Sequence, residues 1–343
     1  MTKHPTPRSE SGEQIHPLLS VKNLSVVFGE GSSKVLAVEG VSFDVMPGEI
    51  VGIAGESGSG KTAATLSVGK LLPASATVTG TALFQGIDLL SASDVALRRV
   101  RGLHVGYVFQ DSLTSLNPLQ RIGKQLRAVL DAHGQGTRRE RRQRVLKALE
   151  TVSLSPADRI ARLYPHELSG GMRQRAMIAR AMINGPSLII ADEPTTALDA
   201  TVQAQVLDLI VEACRAEGIS AILISHDLGV MRHYTEKLAI MYAGRLVEFG
   251  LTSAVLGSPR HPYTAALLKT HPRPSGTVED LVPISGETPQ LSVSEERCYF
   301  APRCEVSRGR ELCVTERPQL SDGAHRAACH FSSEVSLDVS SLG

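Results

Sequence analysis

Charge excess of either sign is missing from this sequence: 36 Lys and Arg face 35 Asp and Glu over 343 residues. A surface so balanced lacks the positive footprint that a dedicated nucleic-acid binder sets against phosphate. The basic stretch Arg138–Arg144 reads as a solvated helix face. Long apolar runs are missing as well. None approaches the ~20 residues that span a bilayer, so any membrane step would fall to other chains. Residues 1–14 are polar and hold no apolar core, which excludes a secretory signal there. The expectation is a soluble, cytoplasmic protein. Tryptophan is absent and aromatics reach only 4%, within an otherwise ordinary globular composition that is 42% hydrophobic. The length allows one large domain with an accessory one, or two of medium size.

What is present begins with strand signals. Leu24–Phe28 and Val41–Val45 alternate, and a turn at Pro47-Gly48 leads into the apolar run Ile50–Ala54. Short, continuous, β-branched runs of this kind mark buried parallel strands. Val105–Phe109, Leu188–Ala191 and Ala221–Ile224 read the same way, and residues 122–163 carry a helical pattern rich in charge. Strands alternating with helices predict an α/β core with a mainly parallel sheet. Near Gly257–Pro262 proline becomes frequent and periodicity fades, which places a boundary there. The expected division is a flexible 1–17, a main domain 18–256 with a helical subdomain at about 95–166, a C-terminal domain 257–331 and a frayed tail 332–343.

Three constellations carry chemistry. Gly55-Glu56-Ser57-Gly58-Ser59-Gly60-Lys61-Thr62 fits the G-x-x-x-x-G-K-S/T phosphate loop and lies between a strand and a helix. Its glycines turn the backbone so that N–H groups face phosphate oxygens, and the helix N-terminus adds partial positive charge. Lys61 reaches the β- and γ-phosphates, and the Thr62 hydroxyl suits Mg2+. Asp192-Glu193 ends a buried strand, where open α/β sheets bind ligands. Asp192 would hold Mg2+, and Glu193 would orient the attacking water. His226 follows the next strand and is placed to sense the γ-phosphate.

Leu168-Ser169-Gly170-Gly171-Met172 resembles the LSGGQ signature of ABC ATPases, with Met172 where Gln is commoner. The order of the other motifs is similar to that family over residues 18–256. Gln110 matches the Q-loop glutamine, Asp192-Glu193 the Walker B acids, Ala197-Leu198-Asp199 the D-loop, His226 the switch histidine and Phe28 the aromatic that stacks on adenine. The resemblance implies a P-loop ABC ATPase core with an antiparallel β subdomain and a helical insert. It implies a head-to-tail dimer in which Ser169, Gly170 and Gly171 of one chain meet the ATP held by the other. ATP hydrolysis would then drive transport, with Gln110 also near Mg2+.

Three further stretches narrow the resemblance to the ATPase subunits of oligopeptide and dipeptide importers, a group that includes nickel systems. They are Asp111–Pro118, His261-Pro262-Tyr263-Thr264 and Pro283–Pro289. The expected partners are a second, different ATPase subunit, two permease subunits and an extracytoplasmic solute-binding protein, at the cytoplasmic face of the membrane. Alternatives are a nickel or other small-solute importer, or a soluble non-transport ABC ATPase. His261 suits either a metal or a helix entry, the latter favoured by Pro262. Cys298, Cys304, Cys313 and Cys329 fall at C-x5-C-x8-C-x15-C, without the close pairs usual for zinc. By resemblance they are expected to hold a four-iron four-sulfur cluster, with zinc the alternative and His325 and His330 as substitute ligands. Cys214 reads as a small buried hydrophobe.

Overall fold

Alternating apolar and polar side chains make strands of the first stretch: β1 (Leu19–Phe28), β2 (Val35–Val45), β3 (Ile50–Ala54), β4 (Ala76–Phe84) and β5 (Ile87–Asp88). Leu19, Leu24 and Val26 face inward while Lys22 and Asn23 face solvent. Four of these strands form an antiparallel sheet in the order β2-β1-β4-β5. The computed structural model describes residues 16–110, 115–196, 199–270, 283–290 and 293–335.

The second sheet unites β3 with β6 (Val105–Val108), β7 (Leu188–Asp192), β8 (Ser220–Ile224), β9 (Lys237–Tyr242), β10 (Arg245–Leu251) and β11 (Arg326–Ala327). Its order is β11-β10-β9-β3-β8-β7-β6. From β9 to β6 every neighbouring pair is parallel, and β10 and β11 add antiparallel. All residues of β3, β7 and β8 are buried, as strands covered on both faces must be. Because these strands run the same way, their carboxyl ends share one rim. Gly55, Gln110, Glu193 and His226 all follow strands that end there.

The helix Lys61–Val68 buries Ala64 and Val68 in a core shared by the two sheets. The helices Ile122–Ala132, Arg138–Thr151 and Ala157–Ile160 pack with Gly170–Met182 in a separate apolar core. On Arg138–Thr151, Arg138, Arg139 and Arg142 lie exposed, as expected, whereas Arg141 and Arg144 are half-buried, Arg144 donating to the Ile183 carbonyl at 2.9 Å, and Val145 and Leu149 point in. Arg141 and Arg142 find Asp131 and Asp158 at 2.6 and 3.0 Å. Among the described residues no helix is long and apolar enough to cross a membrane.

A third core joins the sheet to the C-terminal region. Tyr242 of β9, Tyr263 of the helix Pro262–Lys269 and Phe300 meet in tilted and edge-to-face contacts: centroids are 4.6 Å apart for Tyr242–Tyr263, 5.2 Å for Tyr242–Phe300 and 5.4 Å for Tyr263–Phe300. Each such pair adds about 0.5–1.5 kcal/mol beyond the area it buries.

Candidate functional site

The phosphate loop turns between β3 and the helix Lys61–Val68. Gly60 caps that helix with φ +97°, a left-handed conformation that a side chain resists. A Cβ there would also stand 2.3 Å from the carbonyl oxygen of Ala37. Ser59 is wholly buried, and its carbonyl accepts from Gly244 N at 3.0 Å. Lys61 is only 5% exposed, and its Nζ donates to the carbonyls of Gly55 and Glu56 at 2.9 and 2.8 Å. Burial holds its pKa below the usual lysine value, against the pull of Glu193, Asp192 and Glu56.

Across the rim stand the two acids. Asp192 is 5% exposed at the end of β7, and its Oδ1 is buried without a hydrogen-bond partner among the described residues. Burial lifts its carboxyl above the usual range and outweighs the Thr62 hydroxyl, which bonds to it. A buried carboxylate oxygen beside a hydroxyl is a donor set that suits a hard cation such as Mg2+. Glu193 has φ +42°, an uncommon conformation for its type. Its carboxylate receives Gln110 Nε2 at 2.9 Å and Thr196 Oγ1 at 3.1 Å, and His226 Nδ1 stands 3.6 Å away.

Together Ser57, Gly58, Gly60, Lys61, Thr62, Gln110, Glu193 and His226 line one open cleft of about 660 Å³, with Ala37 and Ala63 at its side. Phe28 ends β1 half-buried against the core and outside that lining, although Val35, its strand partner, is two residues from Ala37. Ser169, Gly170 and Gly171 do not line the cleft either. Ser169 caps the helix Gly170–Met182 through Met172 N at 3.3 Å, and Gly171 faces Val202. Asp199 caps the adjoining helix Ala200–Glu217, its Oδ1 accepting from Val202 N at 3.0 Å. The segments 111–114 and 197–198 of the expected Q- and D-loops lie outside the described residues.

The ABC transporter family profile matches residues 38–196, and that of the oligopeptide/dipeptide transporter C-terminal region matches 247–313. A probable peptide ABC transporter ATP-binding protein of Sinorhizobium fredii is 42% identical over 96% of this chain and 99% of its own. The chain belongs to the ABC transporter ATP-binding family. Within it, this ATP-binding chain is also 40% identical to the dipeptide transport ATP-binding protein DppD of Haemophilus influenzae, over 91% of this chain and 95% of that one. An oligopeptide transport ATP-binding protein OppD of Mycobacterium tuberculosis is 44% identical over 91% of this chain, which spans about half (52%) of that relative's length. Among solved structures, a dimeric ATP-binding cassette bound to ADP and phosphate superposes with TM-score 0.62 at 30% identity, covering 68% of this chain and 98% of its own.

One expectation for this ABC ATP-binding chain is overturned: the described residues of the cysteine tail show no group able to hold an iron–sulfur cluster or zinc. Cys298, Cys304, Cys313 and Cys329 do line one cavity, yet among the described residues no group of three or more His, Cys, Asp or Glu could hold a metal ion. Burial, which disfavours the charged thiolate, pushes Cys298 up to about 11 and Cys329 up to about 12. The cavity itself, about 10 Å³, has room for at most one water. The substitute ligands are engaged elsewhere: His325 Nε2 lies 2.6 Å from Glu248 and His330 Nε2 lies 3.0 Å from the carbonyl of Glu316. His261 serves as a helix entry, its Nδ1 accepting from Tyr263 N at 3.0 Å.

Sequence reasoning missed Thr196, which helps hold Glu193, and the three residues that grip Glu56 from far along the chain: Tyr263, Thr288 and Arg303. Thr196 lies three residues after Glu193, a spacing that could have suggested it. No local pattern announces contacts across more than 200 residues.

Proposed function

We infer that this chain is the ATP-hydrolysing subunit of a peptide importer, working in a pair beneath a permease at the cytoplasmic face of the membrane. The observation that carries this reading is Glu193, locked by Gln110 and Thr196 on the far wall of the cleft that opens over Lys61. The phosphate loop binds the nucleotide through its N–H groups, with Lys61 leaving the loop carbonyls for the β- and γ-phosphates. Phe28 lies on the strand pair next to the cleft, and we place the adenine against it. Thr62 and Asp192, with Gln110, would hold Mg2+, which supplies charge neutralisation at the phosphates. Glu193 orients a water in line with the γ-phosphate and accepts its proton, while His226 steadies Glu193 and senses the phosphate. The three residues at the start of the helix Gly170–Met182 form a second anion cradle remote from the first, which suits a site completed by the partner's Ser169–Gly171 region, with Asp199 at the junction. Sequence identity to peptide-transport relatives supports a peptide as solute, delivered by an extracytoplasmic binding protein through two permease subunits; nickel carriers within the same group would show instead as uptake of the ion.

Glu193→Gln keeps the hydrogen bonds and removes the base. Hydrolysis is expected to fall by about 100-fold or more, with ATP retained and a dimer accumulating on gel filtration. An unaltered rate of phosphate release would remove Glu193 from the reaction and this reading with it.

A further inference from the structure

The outer side of the phosphate loop is gripped by the C-terminal region. Glu56, the residue after the loop's first glycine, gives its N–H to Tyr263 OH at 2.8 Å. Its carboxylate takes two bonds from Arg303, 2.8 and 3.0 Å, and one from Thr288 Oγ1 at 2.9 Å. Arg303 is itself held: Nε donates to Ser285 O at 2.9 Å, Nη2 to Ile284 O at 3.2 Å, and its side chain is 6% exposed. Burial raises the Glu56 carboxyl, and the Arg303 guanidinium outweighs it, leaving a carboxylate that stays ionised.

The charge arithmetic decides what this pairing is for. An ionised carboxylate beside the cradle repels a polyphosphate and competes for Lys61, whose Nζ already rests on the Glu56 carbonyl at 2.8 Å. A bidentate guanidinium cancels that charge and fixes the side chain on the face away from the cleft. Breaking such a buried pair on one side leaves the other charge uncompensated. We propose that Arg303 is a positioning residue for nucleotide binding: by neutralising Glu56 and holding it aside, it lets docking of the C-terminal region set the affinity of the phosphate loop for ATP. The proposal rests on the ATP-binding reading above.

The test is Mg-ATP binding to the full-length chain by calorimetry, with hydrolysis measured in parallel. Arg303→Met is expected to weaken Mg-ATP about tenfold and to raise KM to match, while kcat at saturating ATP stays within about twofold. Arg303→Lys, which keeps the charge, recovers part of the loss. Adding Glu56→Gln to Arg303→Met recovers most of it, because no charge is left to neutralise. A contact that only braces the fold predicts the reverse, with the double variant the weakest of the set. Should Arg303→Met not fold, the double variant alone decides: near-wild-type affinity supports the proposal and weak binding overturns it. Unchanged affinity in folded Arg303→Met, or no recovery in the double variant, also overturns it while the ATP-binding reading stands. A wild-type chain that ignores Mg-ATP removes both.

Discussion

Where the apolar strand Leu188–Ala191 gives way to its two acids, Glu193 turns left-handed at φ +42°. Strain of this kind costs on the order of 1 kcal/mol or more and persists where the surroundings impose it. The usual ranking of small residues should therefore invert here. Glu193→Gly is expected to be more stable than Glu193→Ala by about 1 kcal/mol, both being inactive, as read from urea unfolding midpoints. Equal midpoints would mean the backbone relaxes once the side chain is gone.

Among the elements, β3, β7 and β8 were the most legible, because full burial demands unbroken apolar runs. The helical stretch 122–163 was read as one pattern and is three helices. Gly134, at φ +63°, stops the first of them, and the charge-rich sequence on either side gave periodicity no sharp break. The entry to Pro262–Lys269 carries a pH signature. His261 is 2% exposed, and burial holds its imidazole down to about 3, against a bond to the Ala328 backbone that works the other way. The folded chain keeps this ring neutral, while the unfolded chain protonates it below its ordinary value of about 6.5. Stability is thus complete above about pH 6.5 and is lost as pH falls toward 3, by up to about 1.4 kcal/mol per unit. His261→Asn retains a capping acceptor and removes the titration. Between about pH 7 and pH 5 the wild type should lose about 2 kcal/mol more than this variant, measured by denaturant unfolding; parallel losses would exclude His261 as the source.

Over the whole molecule, the C-terminal region is stitched to the ATPase core at points distant in sequence. Tyr299 OH donates to Glu39 at 2.8 Å, Arg317 pairs with the same carboxylate, Arg303 takes Glu56, and β11 pairs with β10. Burial raises the Glu39 carboxyl, and the hydroxyls of Ser294 and Tyr299 with the Arg245 and Arg317 charges bring it below the usual range. The tail's membership in a transporter family was legible as motif order. Its attachment was not, because the Glu39 and Glu56 partners lie some 250 residues away and those of β10 more than 70, and such pairings leave no periodic trace. The cysteine spacing misled for a related reason: spacing gives the count of thiols, whereas their burial and mutual arrangement are set by the fold around them. A chain ending at residue 282 exposes Tyr242 and Tyr263 and frees both carboxylates. It is expected to melt more than about 5 °C lower, followed by circular dichroism; an unchanged midpoint would show that these stitches carry no stability.

β11 is two residues long, yet it occupies the outer rim of β10, with the Arg326 guanidinium 4.7 Å over the Phe249 ring. A bare rim of main-chain donors and acceptors is a template on which stray strands grow. Here Arg326 and Ala327 cover Glu248 and Phe249 in the middle of that rim, so an intruding strand would first have to displace β11 and the cation above Phe249.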